Sequence, residues 1–201
     1  MSVTVHTGRY YVKDKKGRLQ NAPYVDNSYK WAGGGLVSTA GDLVRFGDAM
    51  LYSFQRRRDD VTSLAGYLQR DTVRQLWAPV SGTRCSWDAS ASAYGLGWGV
   101  MRDVATYDRR RSFYVSHTGG AIGASSVLLV RPAPDDEHAS APRGVTVAII
   151  MNMQGVNLNP LALKVASLFE EMRLHQPSAA AVSGSHQRQP SAATVSGSRQ
   201  R

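Results

Sequence analysis

The chain has 201 residues, 42% of them hydrophobic, and a net charge of +9, which is enough apolar mass for one packed domain and too little length for several. The positive balance raises nucleic acid as a partner, but the arginines sit in short loop-like runs (Arg56-Arg57-Arg58, Arg109-Arg110-Arg111) and near the end, without interleaved aromatic residues to stack on bases, so no nucleic-acid site is expected. A single cysteine, Cys85, excludes an internal disulfide, and no clustered ligands call for a metal or another cofactor.

Residues 1–7 lack the apolar core of a signal peptide and the amphipathic pattern of a transit segment. No later run is long enough to cross a bilayer, so neither a targeting segment nor an integral membrane segment is expected in this chain. Tyr10-Tyr11-Val12, a polar turn closed by Gly17, and Arg18-Leu19-Gln20 predict a short hairpin packed at an edge. The triple glycine Gly33-Gly34-Gly35 follows, a place for close backbone approach. Thr39 with Asp42 has the spacing of a capping box, and Leu43, Phe46, Met50, Leu51 and Phe54 predict a helix with one buried face.

Asp71 is positioned to cap a short helix carrying Val73, Leu76 and Trp77, which Pro79 ends. Residues 94–100 read Tyr-Gly-Leu-Gly-Trp-Gly-Val, one strand with a bulky face and a bare face, and a bare face implies a close neighbour. Residues 114–123 run from an apolar stretch into Ser116-His117-Thr118-Gly119-Gly120, then a glycine-rich turn, and residues 124–130 return as a second strand. His117 and Thr118 are expected at the end of the first strand. Gly119 and Gly120, having no side chains, leave room for a substrate to lie along the strand edge. Residues 132–143 predict a loop and residues 144–151 a central strand. Asn159, with Pro160 at the first helical position, predicts the cap of a last helix whose stripe of Leu161, Val165, Leu168, Phe169 and Met172 lies across the sheet.

Residues 176–188 and 189–201 are near copies of one another, poor in large apolar groups. The chain is therefore expected to divide into a folded part, 1–175, and a disordered tail, 176–201.

Two of these stretches go beyond folding signals. Residues 31–46, with their glycine pair, Ser38-Thr39, Asp42-Leu43 and Phe46, resemble the serine β-lactamase-like and penicillin-binding hydrolases, and His117-Thr118-Gly119-Gly120 resembles that family's third active-site motif. In residues 24–35, 49–52 and 116–130 the likeness extends to mitochondrial members of the family, and it spans residues 8–172.

The resemblance implies an α+β fold: an antiparallel sheet with a C-terminal helix packed across it and part of a helical region, an incomplete β-lactamase or DD-peptidase fold. It also implies acyl transfer through a serine in a Ser-x-x-Lys motif, assisted by a tyrosine from a second motif. By position, His117 and Thr118 would bind the substrate carboxylate or polarise the site, Gly120 would lend its backbone N–H to an oxyanion, and Gly119 and Ala121 would line the substrate. This chain contains neither Ser-x-x-Lys nor Tyr-x-Asn. The expectation is thus the C-terminal portion of a mitochondrial serine hydrolase or peptidase linked to lipid metabolism, inactive alone, acting on a peptide or acyl substrate once an upstream half supplies the serine. The alternative is a non-catalytic, self-assembling or regulatory protein of the same fold, present as a homo-oligomer or filament.

Overall fold

A computed structural model describes residues 9–26, 29–55, 67–87, 92–105, 111–134 and 143–175. Arg56-Arg57-Arg58, most of the 132–143 loop and the repeat of residues 176–201 lie outside them. The first hairpin forms as expected, β1 (Tyr11–Lys13) against β2 (Leu19–Asn21), with Gly17 in the turn at a φ of 78° that residues with side chains rarely adopt. Asp14 closes this turn by accepting the amides of Lys16 and Arg18. The hairpin leans on the large sheet, where Tyr11 bridges Met153.

Among the described residues, five strands form one antiparallel sheet in sequence order: β3 (Ser92–Tyr94), β4 (Gly99–Ala105), β5 (Arg111–Ala121), β6 (Ala124–Pro132) and β7 (Gly144–Met151). The run of residues 144–151, expected as a central strand, is thus the outermost of the five on its side and pairs with β6 alone. Side chains alternate across it, and both faces are buried. One face carries Val100, Val115, Leu128 and Val130, packed with Met50, Leu51, Val73, Trp77 and Trp98. The other carries Met101, Tyr114, Val127, Leu129, Val145 and Val147, packed with Leu158, Ala162 and Ala166. This is the expected α+β arrangement, a helix packed against each face of an antiparallel sheet.

The first face is covered by α2 (Ala40–Gln55) and α3 (Arg70–Leu76); ahead of them the first two glycines of the triple complete a single helical turn, α1 (Trp31–Gly34). Half of the capping box at α2 forms as expected: the Thr39 hydroxyl accepts the Asp42 amide at 3.1 Å. The Asp42 carboxylate, however, takes a hydrogen bond from that hydroxyl and pairs with Arg45, and does not reach back to the Thr39 amide. At α3 the expected cap is displaced. Gln69 stands at the N-cap and Asp71 lies inside the first turn, where its charge suits the positive end of the helix.

Two further expectations are corrected. Residues 94–100 do not form one strand: β3 ends at Tyr94, Gly97 turns the chain with a φ of 80°, and β4 begins at Gly99. There is thus no single bare face: a side chain at Gly95 would strike the carbonyls of Leu76 and Ala78, but at Gly97 no atom of the described residues stands within 4 Å. On α4 (Asn159–His175) Ala162 and Ala166, with Leu158 just ahead of the helix, form the row that meets the sheet; of the expected stripe Val165 packs beside them, whereas Leu161, Leu168, Phe169 and Met172 are each about half exposed. Alanines let the helix axis come down onto Tyr114 and Leu129, which a row of leucines would hold off. The side chain accepting an amide at this helix start is that of Asn157, which takes the N–H of Asn159 at 3.1 Å. Beneath α4, buried Arg131 of β6 pairs with Glu170 at 3.0 Å.

Candidate active site

Strand β5 is longer than its ladder with β4. The β4 pairing ends at Gly99 with Ser116, while β6 pairs continuously from Val115 with Val130 to Ala121 with Ala124. His117 and Thr118 therefore lie inside β5 rather than at its end, and β5 turns only at Ile122-Gly123, where Gly123 has a φ of 86°. What does end at His117 is the neighbouring strand. Among the described residues, positions 117–121 have a strand partner on one side only.

The two-residue turn decides which backbone groups face that open side. A hairpin of this kind is closed by a hydrogen-bonded pair, here Ala121 with Ala124. Counting back, Gly119 and His117 also turn their N–H and C=O toward β6, whereas Gly120 and Thr118 turn theirs away. The Thr118 carbonyl lies 2.8 Å from Nδ1 of the His117 ring, consistent with its pointing outward.

The side chains separate differently. His117 shares a face with Val115 and Thr118 shares one with Ser116, so the imidazole and the hydroxyl are on opposite faces and meet only at the edge. Gly119 and Gly120 are not equivalent either. A side chain at Gly119 would run into the hydroxyl of Ser126 on β6, whereas at Gly120 no atom of the described residues stands within 4 Å. Gly119, Gly120 and Ala121 are exposed, as is His117.

Two residues not foreseen from the sequence complete the site. The Tyr94 hydroxyl lies 2.8 Å from Nε2 of His117, and Trp87 packs against both rings, 5.0 Å from His117 and 5.9 Å from Tyr94 between centroids. Gly99 brings Trp87 there, because a side chain at that position would occupy the space of Cys85 and Trp87. Trp87 is then anchored by donating Nε1–H to the buried Ser116 hydroxyl at 3.1 Å. Tyr94 is held through its backbone: its amide donates to the Thr83 hydroxyl at 2.9 Å and its carbonyl accepts from the Val80 amide at 2.9 Å. The signal for Tyr94 was the glycine turn after it, which ends β3 beside the point where the β4–β5 ladder stops. Trp87, in an irregular stretch, carries no comparable pattern.

The arrangement is chemically an open strand edge with outward amides, one imidazole, one phenol and an aromatic wall. Among the described residues no group of histidine, cysteine or acidic side chains is placed to hold a metal ion. No helix among them is long and apolar enough to cross a membrane.

A β-lactamase family model matches residues 4–167, spanning both the sheet and this edge, and the chain belongs to the β-lactamase family. Three relatives make the likeness more particular. The chain is 49% identical to the mitochondrial serine beta-lactamase-like protein LACTB of Mus musculus over 180 residues, covering 85% of this chain and 32% of the relative. It is also 49% identical to the proteins of that name from Bos taurus, over 87% of this chain and 33% of the relative, and Homo sapiens, over 85% and 33%. The chain thus spans about a third of the length of the curated relatives it matches.

Proposed function

We propose that this chain supplies the substrate-binding wall of a mitochondrial serine acyl-transfer enzyme, a hydrolase or peptidase whose nucleophilic serine and lysine come from polypeptide outside these 201 residues. The observation that carries the reading is the edge of β5: the family's motif, His117-Thr118-Gly119-Gly120, lies where β4 has ended and alternate backbone amides face outward. In this reading the outward N–H of Gly120 is one oxyanion donor, and a second comes from the nucleophile's own amide. His117 and Thr118 hold the carboxylate end of a peptide or acyl substrate, and Gly119 and Ala121 form the floor along which it lies. Oxyanion donors of this kind contribute about 3 kcal/mol of transition-state stabilisation each, so the wall is a major share of the catalytic apparatus even without the nucleophile.

The mitochondrial location follows the names of the relatives, and a link to lipid metabolism follows the resemblance. A fluorophosphonate probe tests the central claim. The chain alone is expected to remain unlabelled. Co-expressed with the part of the bovine relative outside the matched region, it should yield a labelled serine that is not among residues 1–201. Specific labelling of a serine within the isolated chain would overturn this division of the site.

A second reading, self-assembly into a homo-oligomer without catalysis, is favoured by one observation, the half-exposed apolar row Leu161, Leu168, Phe169 and Met172 along α4. Sedimentation of the chain with Leu168 and Phe169 replaced by glutamate separates the two: only self-assembly predicts a fall in molecular mass.

A further inference from the structure

Both nitrogens of His117 are engaged: Nδ1 lies 2.8 Å from the Thr118 carbonyl oxygen, and Nε2 lies 2.8 Å from the Tyr94 hydroxyl. A carbonyl only accepts, so Nδ1 carries a proton. In the neutral ring Nε2 is then an acceptor, and the Tyr94 O–H donates to it. When the ring takes a second proton, Nε2–H becomes the donor, Tyr94 Oη accepts, and the phenolic proton must turn elsewhere. The Trp87 ring stands over both residues and the Thr83 contacts fix the Tyr94 backbone, so the pair stays in register while the hydrogen bond reverses.

We propose that Tyr94 is a positioning residue for His117, fixing its tautomer, and that protonation of His117 turns the Tyr94 O–H toward a carboxylate lying along residues 117–120. This rests on the reading of that edge as a substrate-binding wall. The balance is simple: one proton arrives from water at Nε2, the ring gains one positive charge, and the phenol stays neutral and only changes the direction of its O–H. A carboxylate at the edge then meets a cation and a hydroxyl donor that the neutral pair withholds, so the site distinguishes anionic from neutral acyl groups.

Among the described residues the neighbours of the imidazole come from three places. Tyr94 comes from β3, Trp87 from the segment before it, and Leu128 stands opposite His117 on β6. In the Trp87 segment the other titratable residues are Arg84, which is exposed, and Cys85, which is buried toward Gly99. Asp88 lies outside the described residues.

The test uses the full chain with ¹⁵N-labelled histidine, the His117 ring signals being assigned by their loss in His117→Gln. In the unaltered protein at neutral pH, His117 should show the Nδ1–H tautomer with Nε2 as a hydrogen-bonded acceptor. In Tyr94→Phe the Nε2 resonance should move toward that of an unbonded acceptor while backbone amides remote from the edge stay in place. Fluorotyrosine at position 94, which keeps the shape and strengthens the donor, should move it the opposite way. An unmoved Nε2 resonance in either folded protein would overturn the positioning role. Acetate titrated at a pH where the ring is protonated should perturb the Thr118 and Gly120 amides, with binding about tenfold weaker in Tyr94→Phe. Equal acetate affinity in the two proteins would overturn the relay. No acetate response at those amides in the unaltered protein would instead count against the binding wall itself.

Discussion

The Ser126 hydroxyl on β6 stands where a side chain at position 119 would project, while Gly120, next along β5, has no atom of the described residues within 4 Å of the same point. The two glycines of the motif therefore differ: a methyl at position 119 must displace the Ser126 hydroxyl, and one at position 120 meets no atom of the described residues. Gly119→Ala displaces only the end of the Ser126 side chain, whose Cβ stays at an ordinary 3.6 Å, so a change of serine rotamer should hold the loss to about 1 kcal/mol or less. Gly120→Ala should fold as well as the unaltered protein or gain about 0.5 kcal/mol, since its backbone is unstrained and the unfolded chain loses freedom. Thermal melts of the two variants read this contrast. In the co-expressed enzyme Gly120→Ala should nonetheless slow fluorophosphonate labelling, because the added methyl occupies the approach to the outward amide.

A third glycine sets how closely helix and sheet pack. A Cβ at Gly47 on α2 would come within 3.3 Å of the Val130 and Leu128 methyl groups and nearer still to the Thr146 methyl on β7. Gly47→Ala gains about 1 kcal/mol of helix propensity, but overpacking of about 1–3 kcal/mol opposes it, and the net change should be destabilising. Adding Thr146→Ser removes the obstructing methyl. Denaturant midpoints of the two single variants and the double variant should therefore show non-additive recovery.

What the sequence made legible followed the strength of its periodic signals. The strands on either side of Ile122-Gly123 and the Thr39 start of α2 each rest on a local rule that tertiary packing reinforces. The β-branched run of residues 144–151, by contrast, gave the strand but not its place, since burial of its faces by helices looks the same at the edge of the sheet as at its centre. The α4 stripe misled because leucine and phenylalanine at helical spacing look like a core, yet the sheet accepts the narrower Ala162 and Ala166 row. Residues 94–100 misled because glycine alternation suits both a bare-faced strand and a hairpin corner, and only the positive φ at Gly97 separates the two. At the site, His117 to Gly120 were visible as a motif. The outward direction of the Gly120 amide depends on where β4 stops, and the contacts of Tyr94 and Trp87 are long-range; neither is encoded in the spacing of the motif.

The ion pair of Arg131 and Glu170 ties β6 to α4 beneath the helix, and the arginine side chain is only 2% exposed. Removing one partner forfeits the attraction and hydrogen bond that offset the desolvation of a buried guanidinium, so Glu170→Ala should be destabilising, by up to about 3 kcal/mol. Replacing both with apolar residues of similar volume, Arg131→Met with Glu170→Leu, should recover much of that loss. Urea unfolding of the three proteins checks the order, and equal stability of Glu170→Ala and the unaltered chain would show that the pair carries no net weight.

Acid sensitivity should trace in part to the start of α2. The Thr39 hydroxyl first, then Arg45, holds the Asp42 carboxyl below the ordinary value of 3.8, and in the first hairpin the Arg18 amide is the leading cause that lowers Asp14. Each carboxylate binds its proton less readily in the folded state than in the unfolded one. Their contribution is therefore in place above the ordinary value and is lost as pH falls through the lowered one. Both groups are on the surface, so salt should weaken the effect. Urea midpoints followed from neutral pH down to about pH 2 should fall less steeply in Asp42→Asn than in the unaltered protein, and less steeply again when Asp14→Asn is added. An acid limb of the same slope in all three would place the responsible carboxylates elsewhere.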